Sequence, residues 1–143
     1  LLGLSSLLSV CELTDRPRIT AEDIGFAIAP RLNAAGRLGQ ARLGVELLTT
    51  EDRSRAAQLA VYIDQLNKDR QSVERKMYKL ARDLVEQNEH WLAQAALVLP
   101  SAEWHPGVMG IVANRIAEQF ERPAILIAVN EAEGVGQGSG RSY

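Results

Sequence analysis

Residues 49–90 read TTEDRSRAAQLAVYIDQLNKDRQSVERKMYKLARDLVEQNEH, and this stretch decides the fold. Thr49 to Asp52 form a good helix start, and a stripe of mainly apolar positions follows at alternating spacings of four and three residues. The stripe comprises Leu59, Ile63, Leu66, Arg70, Val73, Met77, Leu80 and Leu84. The pattern predicts a single helix of roughly 38 residues. A helix this long and this charged either connects two lobes or pairs with another helix, and the connector is the favoured interpretation.

A strand, a helix and a second strand are predicted after the long helix. The strands are the apolar stretches 95–99 and 123–129, and the helix is residues 106–120. Its apolar face comprises Val108, Ile111, Val112, Ile116 and Phe120. Two near-continuous apolar strands around one helix indicate a βαβ unit with parallel strands, and so an α/β fold. Residues 134–143 are expected to open a further strand through a glycine-rich loop.

The segment before the long helix is predicted to contain short helices and one loop. Apolar residues in 1–12 recur at helical spacing, residues 20–23 resemble a capping box, and residues 40–48 favour a short helix. Residues 31–39 contain two glycines and little periodicity, which indicates a loop. Both ends of the sequence are interpreted as fragment boundaries.

The composition is that of a globular protein without a strong electrostatic field. Of 143 residues, 46% are hydrophobic and 24% are charged, and the formal net charge is -2. A polyanion site would therefore have to be a local cluster of donors. Cys11 is the single cysteine, which fits a reducing cytoplasmic location. No apolar run approaches the roughly 20 residues that a transmembrane helix needs.

The first candidate cluster is Asn33-Ala34-Ala35-Gly36-Arg37. Its small residues would let the backbone approach a ligand, and Arg37 could offer a planar fork of donors to a phosphate. A tight turn with a surface arginine is the alternative interpretation.

The second candidate cluster is Glu103-Trp104-His105-Pro106-Gly107. It follows a predicted parallel strand and opens the next helix, at the sheet edge where α/β folds bind ligands. Free N–H groups at a helix start suit an anion, and His105 could donate to a phosphate oxygen or move a proton. Alternatively, His105 caps the helix or packs in the loop. For Trp104, packing is favoured over base stacking.

The third candidate cluster is Gly136-Gln137-Gly138-Ser139-Gly140-Arg141-Ser142. Glycine at every second position predicts a concave turn of exposed amides, to which Ser139 adds a hydroxyl and Arg141 a charge. A flexible hairpin tip is the alternative. No cluster of Asp, Glu and His has the spacing of metal ligands, so no metal site is predicted in this sequence.

Taken together and in this order, the three clusters resemble those of RecJ nucleases, members of the DHH phosphoesterase superfamily. The matching stretches are residues 25–38, 104–116 and 138–142, and the resemblance extends over essentially the whole sequence. It implies that residues 1–48 end a DHH domain and residues 49–90 form a connector helix. Residues 91–143 would then begin a DHH-associated nucleic-acid-binding domain with its first βαβ part.

The resemblance also implies an activity. RecJ nucleases degrade single-stranded DNA from 5′ to 3′ in repair and recombination, using two Mn²⁺ or Mg²⁺ ions. The ligands of those ions belong to the DHH motif, which this sequence lacks, so the piece alone is not expected to be active. The expected partner is single-stranded DNA, with a single-strand-binding protein or a helicase as further candidates; no membrane partner is expected, and the expected state is a monomer.

The resemblance assigns roles to individual residues. Arg37 and His105 are implied to act at the scissile phosphate. Contacts to DNA phosphates are implied for Asn33, Gly138, Ser139, Gly140 and Arg141. All these groups are expected to converge on one strand between two lobes. A related phosphodiesterase for oligonucleotides or cyclic dinucleotides, and a binding module without catalysis, remain alternatives.

Overall fold

The computed structural model describes residues 1–143, which divide into two compact units, Leu1–Arg70 and Gln71–Tyr143. The predicted α/β class is confirmed. The helices are α1 Leu2–Val10, α2 Ala21–Asp23, α3 Ala29–Arg37, α4 Ala41–Thr49, α5 Arg53–Glu86, α6 Glu89–Leu92 and α7 Met109–Phe120, with a π-helical turn at Ile24–Ile28. The strands are β1 Leu97–Ser101, β2 Ala124–Asn130 and β3 Val135–Arg141. No helix has the length and apolar character required to cross a membrane.

The first unit is a group of helices around one apolar core. The predicted capping box is confirmed: Thr20 Oγ1 accepts from the Asp23 amide at 3.2 Å, and Asp23 Oδ2 accepts from the Thr20 amide at 2.9 Å. This reciprocal pair satisfies two amides that the start of α2 would otherwise leave without partners. The core comprises Leu7, Leu13, Ile28, Ala34, Ala35, Leu47, Leu59, Ala60, Ile63 and Leu66.

The predicted loop at residues 31–39 is wrong, because most of it is helix α3. Pro30 lies in the first turn of α3, where a proline removes no intrahelical hydrogen bond. Gly36 lies one residue before the end of α3, so its cost to helix stability is small. Ala34 and Ala35 are fully buried, and this burial holds a segment that has little helical periodicity of its own.

The long helix is confirmed at 34 residues, four shorter than expected. Asp52 caps it, since its side chain accepts a hydrogen bond from the Arg55 amide at 3.0 Å. Apart from the half-buried Arg70 and Val73, the predicted stripe matches burial as far as Met77 and then fails: Leu80 and Leu84 are 46% and 38% exposed. Ala81 and Val85 take the buried positions there. A straight helix has 3.6 residues per turn, so its buried face drifts away from a strict seven-residue repeat.

The second unit is a three-stranded sheet with helices on one face. Strands β1 and β2 pair in parallel, with Leu97 opposite Ala124, and α7 forms the crossover between them. The predicted βαβ unit is therefore confirmed. The core on the helix-covered face comprises Met77, Ala81, Val85, Leu97, Leu99, Trp104, Val108, Met109, Val112, Ala113, Ile116, Ala117, Ala124 and Leu126. The opposite face of the sheet carries Val98 and Ile125, each more than a third exposed.

The glycine-rich segment forms strand β3, antiparallel to β2, and the predicted concave turn of amides is wrong. A Cβ added to Gly136, Gly138 or Gly140 would lie 3.0–3.5 Å from the side chains of Ile127 or Ile125. The alternating glycines therefore occupy the face of β3 over which these isoleucines lie. The other positions of β3 point to the helix-covered face, because successive side chains of a strand alternate.

Candidate functional site

The start of α7 is organised by the backbone and ring of His105. The His105 carbonyl accepts hydrogen bonds from the amides of Val108 at 3.1 Å and Met109 at 3.2 Å. Its ring Nδ1 accepts from the Gly107 amide at 3.1 Å, which leaves Nε2–H of the neutral ring as a donor. The His105 amide in turn lies 3.3 Å from the sulfur of Met77. His105 thus occupies the turn before α7 with one ring nitrogen still available.

The neighbouring Trp104 is a packing residue. Its side chain is buried, and its indole Nε1 donates to the Leu99 carbonyl at 2.7 Å. This bond satisfies the one polar atom of the ring at the end of β1. The packing interpretation of Trp104 agrees with this geometry, and the residue holds the segment that leads to His105.

Ser139 and Arg141 meet the first turn of α7 from strand β3. Arg141 Nη1 donates to Ser139 Oγ at 3.2 Å and to the Gly140 carbonyl at 2.6 Å. A Cβ added to Gly110, the second residue of α7, would lie 2.7 Å from Arg141 Nη2 and 3.1 Å from Ser139 Oγ. The guanidinium and the hydroxyl therefore lie against the helix start.

The charge of Arg141 is not neutralised by its two partners, which are a hydroxyl and a carbonyl. In contrast, Arg115 in the same unit pairs with Glu74 at 3.2 Å and lies 3.9 Å from the ring centre of Tyr78. The start of α7 thus combines a helix N-terminus, a hydroxyl and a guanidinium, which suits a phosphate group.

The structure brings together only part of the predicted site. Ser139 and Arg141 share the first turn of α7, while Gly138 and Gly140 point to the opposite face of the sheet. Their predicted role in phosphate contact remains a prediction, without the concave turn from which it was argued.

Asn33 and Arg37 belong to the first unit. Both are exposed on α3 and, being four residues apart, they lie on the same face of that helix. Their exposure makes them accessible to a ligand. That they share a groove with His105, Ser139 and Arg141 stays a prediction.

A partly buried ion network connects α3 to α5. Asp64, on α5, accepts from Arg31 Nε at 2.8 Å and from Lys68 Nζ at 2.7 Å. Arg31 also donates to the Ala27 carbonyl in the π-helical turn at 2.8 Å. Burial raises the pKa of Asp64, but the hydrogen bonds and charges of Lys68 and Arg31 outweigh burial and hold it below its ordinary value. Asp64 therefore stays ionised and ties α3 to α5.

The single cysteine lies close to this network. The thiol of Cys11 donates to the Ala27 carbonyl at 3.7 Å, and burial raises its pKa above the ordinary value. Although the positive charge of Arg31 opposes this rise, the thiol stays protonated at neutral pH. A protonated, partly buried thiol is a poor nucleophile, so Cys11 acts here as a packing residue.

No group of three or more His, Cys, Asp or Glu side chains is placed to hold a metal ion. Two-metal hydrolytic sites need several carboxylate or imidazole ligands around ions about 3.5–4 Å apart. The residues of this chain do not fit such a centre.

Sequence reasoning missed two residues that shape these regions. Gly110 stands beside Arg141, and its only signal was a glycine early in an otherwise apolar helix. Asp64 interrupts no apolar stripe and shows no motif, so its pairing with Arg31, 33 residues away, could not be read from spacing.

Comparisons with known proteins agree with this architecture. Residues 91–143 match the DHHA1 domain family. The single-stranded-DNA-specific exonuclease RecJ of Bacillus subtilis is 45% identical over 99% of this chain, and the protein of that name from Escherichia coli is 42% identical over 98%. The chain spans 18% and 24% of these two relatives, so about one fifth of their length.

Solved structures show the same likeness. A RecJ–Mg²⁺ complex from Thermus thermophilus superposes with a TM-score of 0.78 at 37% identity, over 99% of this chain and 21% of that one. An exonuclease RecJ bound to manganese gives a TM-score of 0.79 at 39% identity, over 99% of this chain and 33% of that one. Sequence and fold agree along nearly the whole chain, and the domain match covers residues 91–143, so the chain is similar throughout to one segment of the RecJ proteins.

Proposed function

We propose that the full-length protein is a 5′-to-3′ exonuclease of single-stranded DNA, and that this chain supplies phosphate contacts rather than metal ligands. The names of the relatives support the activity, since they are called single-stranded-DNA-specific exonucleases. The observation that carries the second part is the convergence of Ser139 and Arg141 on the first turn of α7. Donors of this kind grip the DNA backbone independently of base sequence.

In this proposal each unit contributes its own contacts to the DNA strand. Arg141, Ser139 and the start of α7 hold a phosphate of the strand, while Arg37 and Asn33 on α3 contact phosphate from the first unit. His105 presents Nε2–H to the negative charge that develops at the scissile phosphate. Donors aimed at such charge are an effective form of electrostatic catalysis.

Divalent metal would be held outside this chain. The related structures contain Mg²⁺ or Mn²⁺, and a bound pair of such ions would activate the attacking water and neutralise phosphate charge. We propose that its ligands lie in the portion of the full-length protein that this chain does not span. A cytoplasmic monomer, working beside a single-strand-binding protein or a helicase, completes the proposal.

Arg141→Ala in the full-length protein tests the phosphate contact. Affinity for a single-stranded oligonucleotide should fall about tenfold, because a charge-assisted hydrogen bond is lost. The slope of log K against log salt should become shallower by about 0.7, since one fewer counterion is displaced. The measurement is a binding titration at several salt concentrations. Arg75→Ala, at an exposed position of α5, is the matched control. An unchanged slope in Arg141→Ala would remove Arg141 from the DNA interface.

His105→Ala tests the catalytic role. The kcat for release of nucleotides from 5′-labelled DNA should fall about 10²-fold or more, with a much smaller change in DNA affinity. A loss confined to affinity would make His105 a binding or packing residue.

Digesting long strands and dinucleotides in parallel with the full-length protein separates the exonuclease from a phosphodiesterase of short substrates. No turnover on either would favour a binding module.

A further inference from the structure

We propose that Gly110 is a positioning residue for Arg141: the absence of a side chain at position 110 lets the guanidinium lie against the first turn of α7. This inference rests on the proposed phosphate-binding role of Arg141 and deepens it. Gly110 would then contribute to the affinity for DNA although it has no side chain to contact the phosphate.

The clearance at Gly110 is the first step. An alanine Cβ at this position would lie 2.7 Å from Arg141 Nη2 and 3.4 Å from Cζ. Non-bonded heavy atoms are comfortable at about 3.5 Å or more, so the methyl group and the guanidinium could not occupy these places together. The same methyl group would lie 3.1 Å from Ser139 Oγ, the hydroxyl to which Arg141 donates. Because a contact of 3.1 Å can be relieved by a few tenths of an ångström, the guanidinium is the group that the added carbon would displace.

The second step is which group would yield. The three nearest atoms to the added carbon all belong to the side chains of Arg141 and Ser139, and none belongs to the main chain or the apolar core. Arg141 is exposed and its side chain is long, so it can swing towards solvent at little cost to the fold. A larger residue at 110 would thus leave the protein folded and move the cation.

The third step is that the helix itself gains nothing from a glycine. Glycine is a poorer helix former than alanine, because it loses more backbone freedom on folding. The φ angle of Gly110 is not in the left-handed region, so the backbone does not require glycine either. The clearance for Arg141 and Ser139 is the remaining structural reason for this residue.

The test is a double-mutant cycle in the full-length protein. Gly110→Ala, Arg141→Ala and the double variant are compared with wild type for thermal unfolding and for affinity to a 5′-phosphorylated single-stranded oligothymidine. Gly44→Ala, in the middle of α4, is the matched control, because its Cβ would meet only Leu32 at an ordinary 3.9 Å.

We expect Gly110→Ala to unfold at the wild-type temperature or slightly above it, while its affinity falls towards that of Arg141→Ala, about tenfold below wild type. The double variant should bind no more weakly than Arg141→Ala, because Gly110 acts through that side chain. Gly44→Ala should bind like wild type. A crystal structure of Gly110→Ala should show the guanidinium displaced from α7.

Three outcomes separate the possibilities. If Arg141→Ala weakens binding while Gly110→Ala binds like wild type, the positioning role of Gly110 is overturned and the proposed function stands. If the two losses multiply in the double variant, Gly110 acts independently of Arg141, which also overturns it. If Arg141→Ala binds like wild type, the proposed phosphate site fails and the positioning role fails with it.

Discussion

Gly3 in the first unit and Gly110 in the second unit occupy the same place in their helices but serve different purposes. Each is the second residue of its helix, α1 or α7, and neither could accept a Cβ without a clash. A Cβ at Gly3 would overlap the main-chain carbonyl of Leu47, whereas one at Gly110 would meet the ends of two side chains. A glycine that faces main chain is required by the fold, whereas one that faces an exposed guanidinium is, in our proposal, required by the site.

The arginines of the two units differ in the same way. The Arg31 side chain is 20% exposed and paired with the Asp64 carboxylate, so its charge is neutralised within the protein. Arg141 is exposed and bonded to uncharged oxygens, so its charge remains available to a ligand. The partner of an arginine, more than its presence in a motif, therefore separates a structural cation from a candidate phosphate contact.

The largest expected effect is on the buried network of the first unit. Asp64→Ala should lower the free energy of unfolding by about 3–5 kcal/mol, because it leaves Arg31 buried without its carboxylate. Urea unfolding of the full-length protein measures it, with Asp69→Ala on the exposed side of α5 as control. A loss as small as that of the control would mean that the network does not hold the unit together.

The Asp64 carboxylate should also make the stability of the first unit depend on pH. The pKa of Asp64 is lower in the folded state than in the unfolded state. The ionised carboxylate therefore adds its full contribution to the free energy of unfolding above the ordinary carboxyl pKa. This contribution is lost as the pH falls through the folded-state pKa. Between neutral pH and about pH 4, set by the ordinary Asp pKa, the contribution should stay constant. Below that pH, wild type should lose stability more steeply than Asp64→Asn in urea titrations.

An intermediate effect is expected at Gly3. Gly3→Ala should destabilise the protein by about 1–3 kcal/mol, since α1 must move away from the end of α4. Gly25→Ala, which meets nothing within 4 Å, serves as control in the same thermal unfolding measurement. If Gly3→Ala were as harmless to stability as Gly110→Ala, the distinction between the two glycines would disappear.

The smallest effect concerns the end of α7. Glu121 ends that helix in the left-handed conformation, with φ at 52° and ψ at 43°. Glu121→Gly should raise the free energy of unfolding by up to about 1 kcal/mol, because glycine adopts this conformation without strain. Glu121→Ala keeps the strain and should bring no comparable gain. Equal stability of these two variants would show that the left-handed angle is not a cost here.

Local sequence patterns predicted the regular elements well where burial follows a simple period. The βαβ unit was readable because two apolar runs of strand length flank a helix with one apolar face. The helix α3 was missed because the two glycines and the weak periodicity of residues 31–39 indicated a loop, although a glycine near the last turn of a helix is tolerated. The drift of the buried face from Leu80 to Ala81 needs the packing partners of α5, which no heptad pattern contains.

The candidate site was predictable in its residue types but not in its assembly. Ser139 and Arg141 could be identified as donors, but their contact with Gly110 requires β3 to fold back antiparallel to β2. The resulting contact joins residues about 30 positions apart, and no local rule determines it. Asn33 and Arg37 were identified on an expected loop, and the structure places them on an exposed helix face instead.

The two faces of strand β3 have different neighbours, and even-numbered and odd-numbered residues alternate between these faces. The glycines at the even positions lie on the face that carries Ile125 and Ile127. Of the odd positions, Ser139 and Arg141 carry the polar atoms that meet α7. Saturation mutagenesis of residues 135–141 would therefore give a profile with a period of two. Replacements at even positions would lower the yield of folded protein, and replacements at Ser139 and Arg141 would leave the yield intact while changing DNA retention.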